Sequence, residues 1–136
     1  MALSVAVGGC ALLPGGDAAP AVPRFVDEAA RAGVDHAYEG DASYFVGGGV
    51  AVLDCDDDGL PDLYLAGGAA PAALYRNEGA VGGPLRFARV ASPATDLRSV
   101  TGAYPLDVDG DGRGDLAVLR LGETAILRGL GDCRDR

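Results

Sequence analysis

Apolar residues in this chain occur in short runs, rich in β-branched and aromatic side chains and bounded by glycine, proline or acidic turn residues. Such runs predict strands at 44–54, 63–66, 72–76 and 85–90, then again at 100–107, 116–121 and 124–127. Arg76-Asn77-Glu78, leading into Gly79, has the chemistry of a hairpin turn. The segment FVDEAARAG at 25–33 predicts one or two helical turns, ended by Gly33. Four strands followed by three, with a period near 50, read as consecutive blades of a β-propeller. The expected fold is therefore all-β: an incomplete β-propeller of about two four-stranded blades, the second lacking its last strand. Residues 24–90 form the first repeat and 91–136 the second, truncated one. Residues 1–23 are a small, apolar N-terminus running into a Pro/Gly-rich linker at 14–23. Repeat units do not bury their faces alone, and roughly three or more are needed for stability. The expectation is thus a fragment of a longer protein that carries the missing blades, with closure by assembly as the alternative.

Charge sharpens this picture. The chain carries 20 Asp+Glu against 11 Lys+Arg, a net −9, and every base is arginine. Nine acids sit in two stretches, DCDDDGLPDL from Asp54 and DVDGDGRGDL from Asp107. Without them acids and bases balance, so the imbalance belongs to two loops. Aligned without a gap, the stretches share Asp at positions 1, 3, 5 and 9, Gly at 6 and Leu at 10. Carboxylates about 4 Å apart repel by about 1 kcal/mol in water and about 4 kcal/mol at an effective dielectric near 20. A hard divalent cation relieves that repulsion.

The expected ligands are Asp54, Asp56, Asp58, the Leu60 carbonyl and Asp62 in loop 54–62. In loop 107–115 they are Asp107, Asp109, Asp111, the Arg113 carbonyl and Asp115. So many protein carboxylates suit the large, flexible shell of Ca2+ better than that of Mg2+. No Cys or His stands at a ligand position, which argues against zinc or copper. Gly59 and Gly112 stand where the chain must turn around the ion, with positive φ expected. An EF-hand is excluded, because position 12 is Leu65 or Val118 rather than Glu and the flanks are strand-like.

The loop pattern after GGGVAV, followed by LYRNEG and a strand containing Phe87, resembles the FG-GAP/VCBS-type repeat. The stretch FVDEAARAGVDH, with GGGVAVLDCDDDGLPDLYLAGG and ALYRNEG after it, is similar to the N-terminal part of the ASPIC/UnbV family, relatives of cartilage acidic protein. The resemblance implies an integrin-α-like propeller with calcium in the loop between the first two strands of each blade. It also implies a calcium-binding segment of an extracellular interaction or adhesion propeller, non-catalytic, with a protein or glycan partner. The family's remaining blades and its C-terminal domain are absent, and the second repeat lacks a clear Phe-Gly pair.

Cys10, after LSVAVGG, stands as in a lipoprotein box and would be lipid-modified, placing the protein at the cell surface, in the periplasm or outside. That anchor would be its sole contact with a membrane, since no run approaches transmembrane length. Only nine residues precede Cys10 and none is basic, short of an ordinary export signal. A Cys55–Cys133 disulfide would leave Cys10 free, but spacing alone does not fix connectivity. An acidic chain without a basic patch is no nucleic-acid binder. Catalytic motifs are absent, so the chain is expected not to be an enzyme. The alternative is a fragment of a propeller-type polysaccharide lyase or hydrolase, which would gather His36, Tyr38 and Tyr44 over one pocket.

Overall fold

The computed structural model describes residues 22–133, so Cys10 and most of the linker lie outside the described residues. Seven strands form two antiparallel sheets. Sheet one runs β1 (Val50–Leu53), β2 (Asp62–Leu65), β3 (Ala73–Asn77) and β4 (Phe87–Val90), in that order. Sheet two runs β5 (Val100–Leu106), β6 (Asp115–Arg120) and β7 (Glu123–Leu127). One helical turn, α1 (Ala29–Ala32), ends on Gly33 in the left-handed conformation. The all-β, four-then-three arrangement matches the sequence expectation.

Three local expectations need correction. The first strand does not span 44–54: Ala42–Tyr44 is a 3-10 turn, and β1 starts only at Val50. The Asp41 carboxylate accepts a hydrogen bond from the Ser43 amide at 2.9 Å and holds that turn. Gly47 then lies against Tyr38, whose hydroxyl is 2.0 Å from where a Cβ would stand. The chain must pass this ring before it can extend. Arg76 and Asn77 do not turn; they are the end of β3, and Asn77 pairs with Phe87. The fourth strand is shorter than 85–90 because the reversal after Asn77 is longer than a tight hairpin. It is held by Gly79 N–H donating to Asn77 Oδ1 and by Glu78 N–H donating to the Arg86 carbonyl.

The core lies between the two sheets. Period-2 alternation sends Ala51, Leu53, Tyr64 and Leu74 inward from sheet one, and Leu116, Val118 and Leu127 inward from sheet two. Val100 joins them, and a register shift between Val100 and Gly102 keeps it on the inner face. Each large buried side chain contributes about 1.5–3 kcal/mol on leaving water. The buried Tyr64 hydroxyl donates to the Thr95 carbonyl at 2.9 Å, so its burial orphans no polar group. The main chain ties the sheets together as well. Gly48 N–H donates to Thr101 O, and Gly68 N–H donates to Val100 O, both at 2.9 Å.

The segment before β1 covers the β3 side of sheet one's outer face. Tyr75 donates to the Asp35 carbonyl at 2.6 Å, and His36 Nε2 lies 2.8 Å from the Ala66 carbonyl. Tyr38 and Tyr44 pack edge to face and line one cavity, whereas His36 lines another. The three residues are not gathered over one pocket.

Candidate metal centres

Both acidic loops are the same connection. Loop one joins β1 to β2 across the pair Leu53 and Asp62; loop two joins β5 to β6 across Leu106 and Asp115. Position 1 organises each loop by accepting backbone amides on both oxygens. Asp54 accepts from Asp58 N–H at 3.2 Å and Gly59 N–H at 2.8 Å. Asp107 accepts from Gly110 N–H at 2.7 Å and Gly112 N–H at 3.0 Å. Position 5 braces the next bend: Asp58 accepts from Leu60 N–H at 2.8 Å, and Asp111 from Arg113 N–H at 2.9 Å.

Gly59 and Gly112 have φ of 82° and 83°, as their place in the pattern predicts. Position 4 is left-handed too, with Gly110 at 75° in loop two and Asp57 at 59° in loop one. Loop two's glycine was the signal for this. Asp tolerates the left-handed region better than most residues but not as well as glycine. Asp57→Gly should therefore be neutral or stabilising by up to about 1 kcal/mol, whereas Asp57→Val should destabilise by about 1–2 kcal/mol. Urea unfolding of the two variants checks the sign.

Position 9 is the most deeply placed residue of each loop: Asp62 is 0% exposed and Asp115 2%. Asp62 accepts from Cys55 N–H at 2.8 Å and Asn77 N–H at 2.7 Å. Asp115 accepts from Val108 N–H and Gly129 N–H, both at 2.9 Å. Each thus ties position 2 of its own loop to the third strand's end: Asn77 closes β3, and Gly129 lies two residues past β7. Their acidities diverge despite this identical bonding. Burial pushes the Asp62 pKa up, against two backbone hydrogen bonds, with Asp56 and Asp58 adding repulsion. The Asp115 pKa is held down by the Val108 and Gly129 amides, with help from Arg128.

The folded chain brings carboxylate oxygens of Asp54, Asp56 and Asp58 within 4.8 Å of one another, and likewise those of Asp107, Asp109 and Asp115. Asp62 and Asp111 stand outside these groups, and Leu60 and Arg113 are anchored through their amides. A third close group, Cys55, Asp62 and Cys133, is no thiolate site, because Cys55 and Cys133 form a disulfide. Cys133 Sγ, 3.8 Å from Asp62 Oδ2, has no proton to donate.

The two loops differ at position 3. Asp109 Oδ2 accepts from Arg128 at 2.7 Å, so loop two carries its own counter-charge. The matching arginine of sheet one, Arg76, turns instead to Glu78 at 2.9 Å. Asp56 Oδ1 is left shut off from solvent, and no donor among the described residues reaches it. A buried, unpaired carboxylate oxygen beside two further carboxylates fits a hard cation, which would supply the missing partner.

Asn77 and Arg128 escaped the sequence reading, whereas the Cys55–Cys133 pairing that the sequence left open is formed. A signal for the first two was present: Arg76-Asn77 and Arg128-Gly129 stand 52 residues apart, almost the spacing of the loops.

No curated protein and no solved structure gives a significant match to the chain. The family model described as an FG-GAP-like repeat matches residues 54–118, from the first ligand position of loop one, through loop two and into β6. That span, with the same acidic hairpin in each of two antiparallel sheets, supports an FG-GAP repeat protein.

Proposed function

We propose that this chain is a calcium-stabilised FG-GAP repeat segment of an exported interaction or adhesion propeller, with no catalytic role. The observation that carries the reading is Asp56 Oδ1, a buried carboxylate oxygen without a partner inside a ring of acids. Asp54, Asp56 and Asp58 would hold the ion in loop one, and Asp107, Asp109 and Asp115 in loop two. When bound, Ca2+ supplies charge compensation, so the two hairpins keep one geometry and present the neighbouring surface rigidly. Loop one is the tighter site, since Arg128 competes for Asp109 in loop two whereas no donor among the described residues bonds Asp56 Oδ1.

Export is supported by the Cys55–Cys133 disulfide, a bond that persists in oxidising compartments. No helix among the described residues is long and apolar enough to cross a membrane. The partner class is a protein or a glycan, met by the propeller surface.

Calcium titration by calorimetry, with thermal melting alongside, tests this reading. Free calcium at 100 times Kd should add about 2.7 kcal/mol per site. Asp56→Ala should remove the tighter site and Asp109→Ala the weaker, while Arg128→Ala should tighten the weaker one. A melting temperature unmoved by millimolar calcium would overturn the proposal.

A further inference from the structure

The internal repeat also says what fits the outer faces of the two sheets. With the 53-residue offset, Ala51 and Leu53 of β1 correspond to Tyr104 and Leu106 of β5, and Tyr64 of β2 corresponds to Ala117 of β6. In the third strands the offset is 52, and Leu74 corresponds to Ile126. The sheet-one members of these pairs form the buried inner face against sheet two. Their sheet-two counterparts point the other way, with Tyr104 61% and Ile126 44% exposed. The converse holds on the far side. Ala103, Leu116 and Val118 of sheet two's inner face correspond to Val50, Leu63 and Leu65 on sheet one's outer face. Val50 and Val52 are 52% and 51% exposed. The interface formed between the two sheets is therefore half of a repeating pattern, whose two remaining mates are both present and, among the described residues, both open.

We propose that the outer face of sheet two docks the outer face of sheet one of a second copy of this chain, head to tail. Inside one molecule, the contact between sheets is made where β1 and β2 meet β5. Repeated once, the same contact sets β5 and β6 of one copy against β1 of the next. The segment holding Asp35 and His36 lies over the β3 side of sheet one, and among the described residues nothing covers Val50 and Val52 of β1. The exposed large side chains Tyr104, Leu106, Leu119 and Ile126 of that face are uncharged, and Asp115, the cross-strand partner of Leu106, is already buried, so docking against them desolvates little further charge. The surfaces differ from each other, which makes the contact heterologous and able to close a ring. This rests on the propeller reading proposed above: propellers close at about four to eight blades, which is about two to four copies.

Analytical ultracentrifugation over a concentration series tests this, run both in calcium and in chelator so that failure of cation binding is seen separately. A discrete species of about two to four copies is expected. Tyr104→Glu with Ile126→Glu spoils one face, and Val50→Glu with Val52→Glu spoils the other. Either pair should raise the dissociation constant at least tenfold. Mixing the two variants should restore a one-to-one heterodimer, because each keeps the face the other has lost. Circular dichroism checks that both variants fold. A wild-type monomer at all concentrations would overturn the proposal and leave the face to a further repeat of a longer chain. Association that survives the β1 pair, or a mixture that stays monomeric, would overturn the head-to-tail geometry.

Discussion

Loss of the Cys55–Cys133 disulfide is expected to destabilise the fold by about 4.5 kcal/mol, from the entropy released to an unfolded chain by opening a loop of this size. The bond spans 78 residues, from position 2 of loop one to the segment after β7, and so encloses every strand except β1. Few cross-links in so short a chain could restrict the unfolded state more. The native end is fixed as well: Cys133 is 1% exposed, and its amide donates to the Cys55 carbonyl at 3.1 Å. The inner core leans on alanine and a handful of large side chains and has no tryptophan, so native stability need not exceed the ~5–15 kcal/mol usual for a domain. Subtracting ~4.5 kcal/mol from such a total leaves a marginal protein. Urea unfolding of the Cys55→Ala, Cys133→Ala double variant, compared with the oxidised protein, measures the difference. A midpoint shift worth under about 1 kcal/mol would show that the unfolded chain is already compact.

How much of this was legible beforehand depends on the range of the interaction. The strand order and the loop conformation are local matters, written in period-2 apolar runs and in Asp and Gly at fixed offsets. Gly59 and Gly112 took the φ their positions required. What escaped was non-local. Asn77 looked like a turn residue because Asn-Glu-Gly has turn chemistry. Its place in β3 is set by the amide it gives to Asp62 and by its side chain's hydrogen bond to the Pro61 carbonyl at 3.0 Å. The residues 44–49 looked extended because Tyr, Phe and Val favour strands, yet packing on Tyr38 and the Asp41 cap override that preference. The disulfide partner could not be chosen from spacing. The asymmetry between the loops lies in which way Arg76 and Arg128 turn, and that is decided by Glu78, which has no counterpart at the same place after Arg128.

Asp62→Ala should cost about 2–6 kcal/mol, and should do so without any cation present. The carboxylate satisfies two buried amides, those of Cys55 and Asn77, and each orphaned buried donor costs about 1–3 kcal/mol. Asp62→Asn separates the roles further. One amide position of the new side chain is a donor and must face a backbone N–H, so about half of the loss should remain while the volume is kept. Asp115→Ala predicts the same behaviour through Val108 and Gly129. Unfolding in chelator and again in calcium distinguishes two uses of position 9. A loss seen in both conditions marks a structural tie that holds the hairpin to its third strand. A loss confined to calcium would mean that the residue acts as an ion ligand alone, and the buried hydrogen bonds would then contribute nothing to stability.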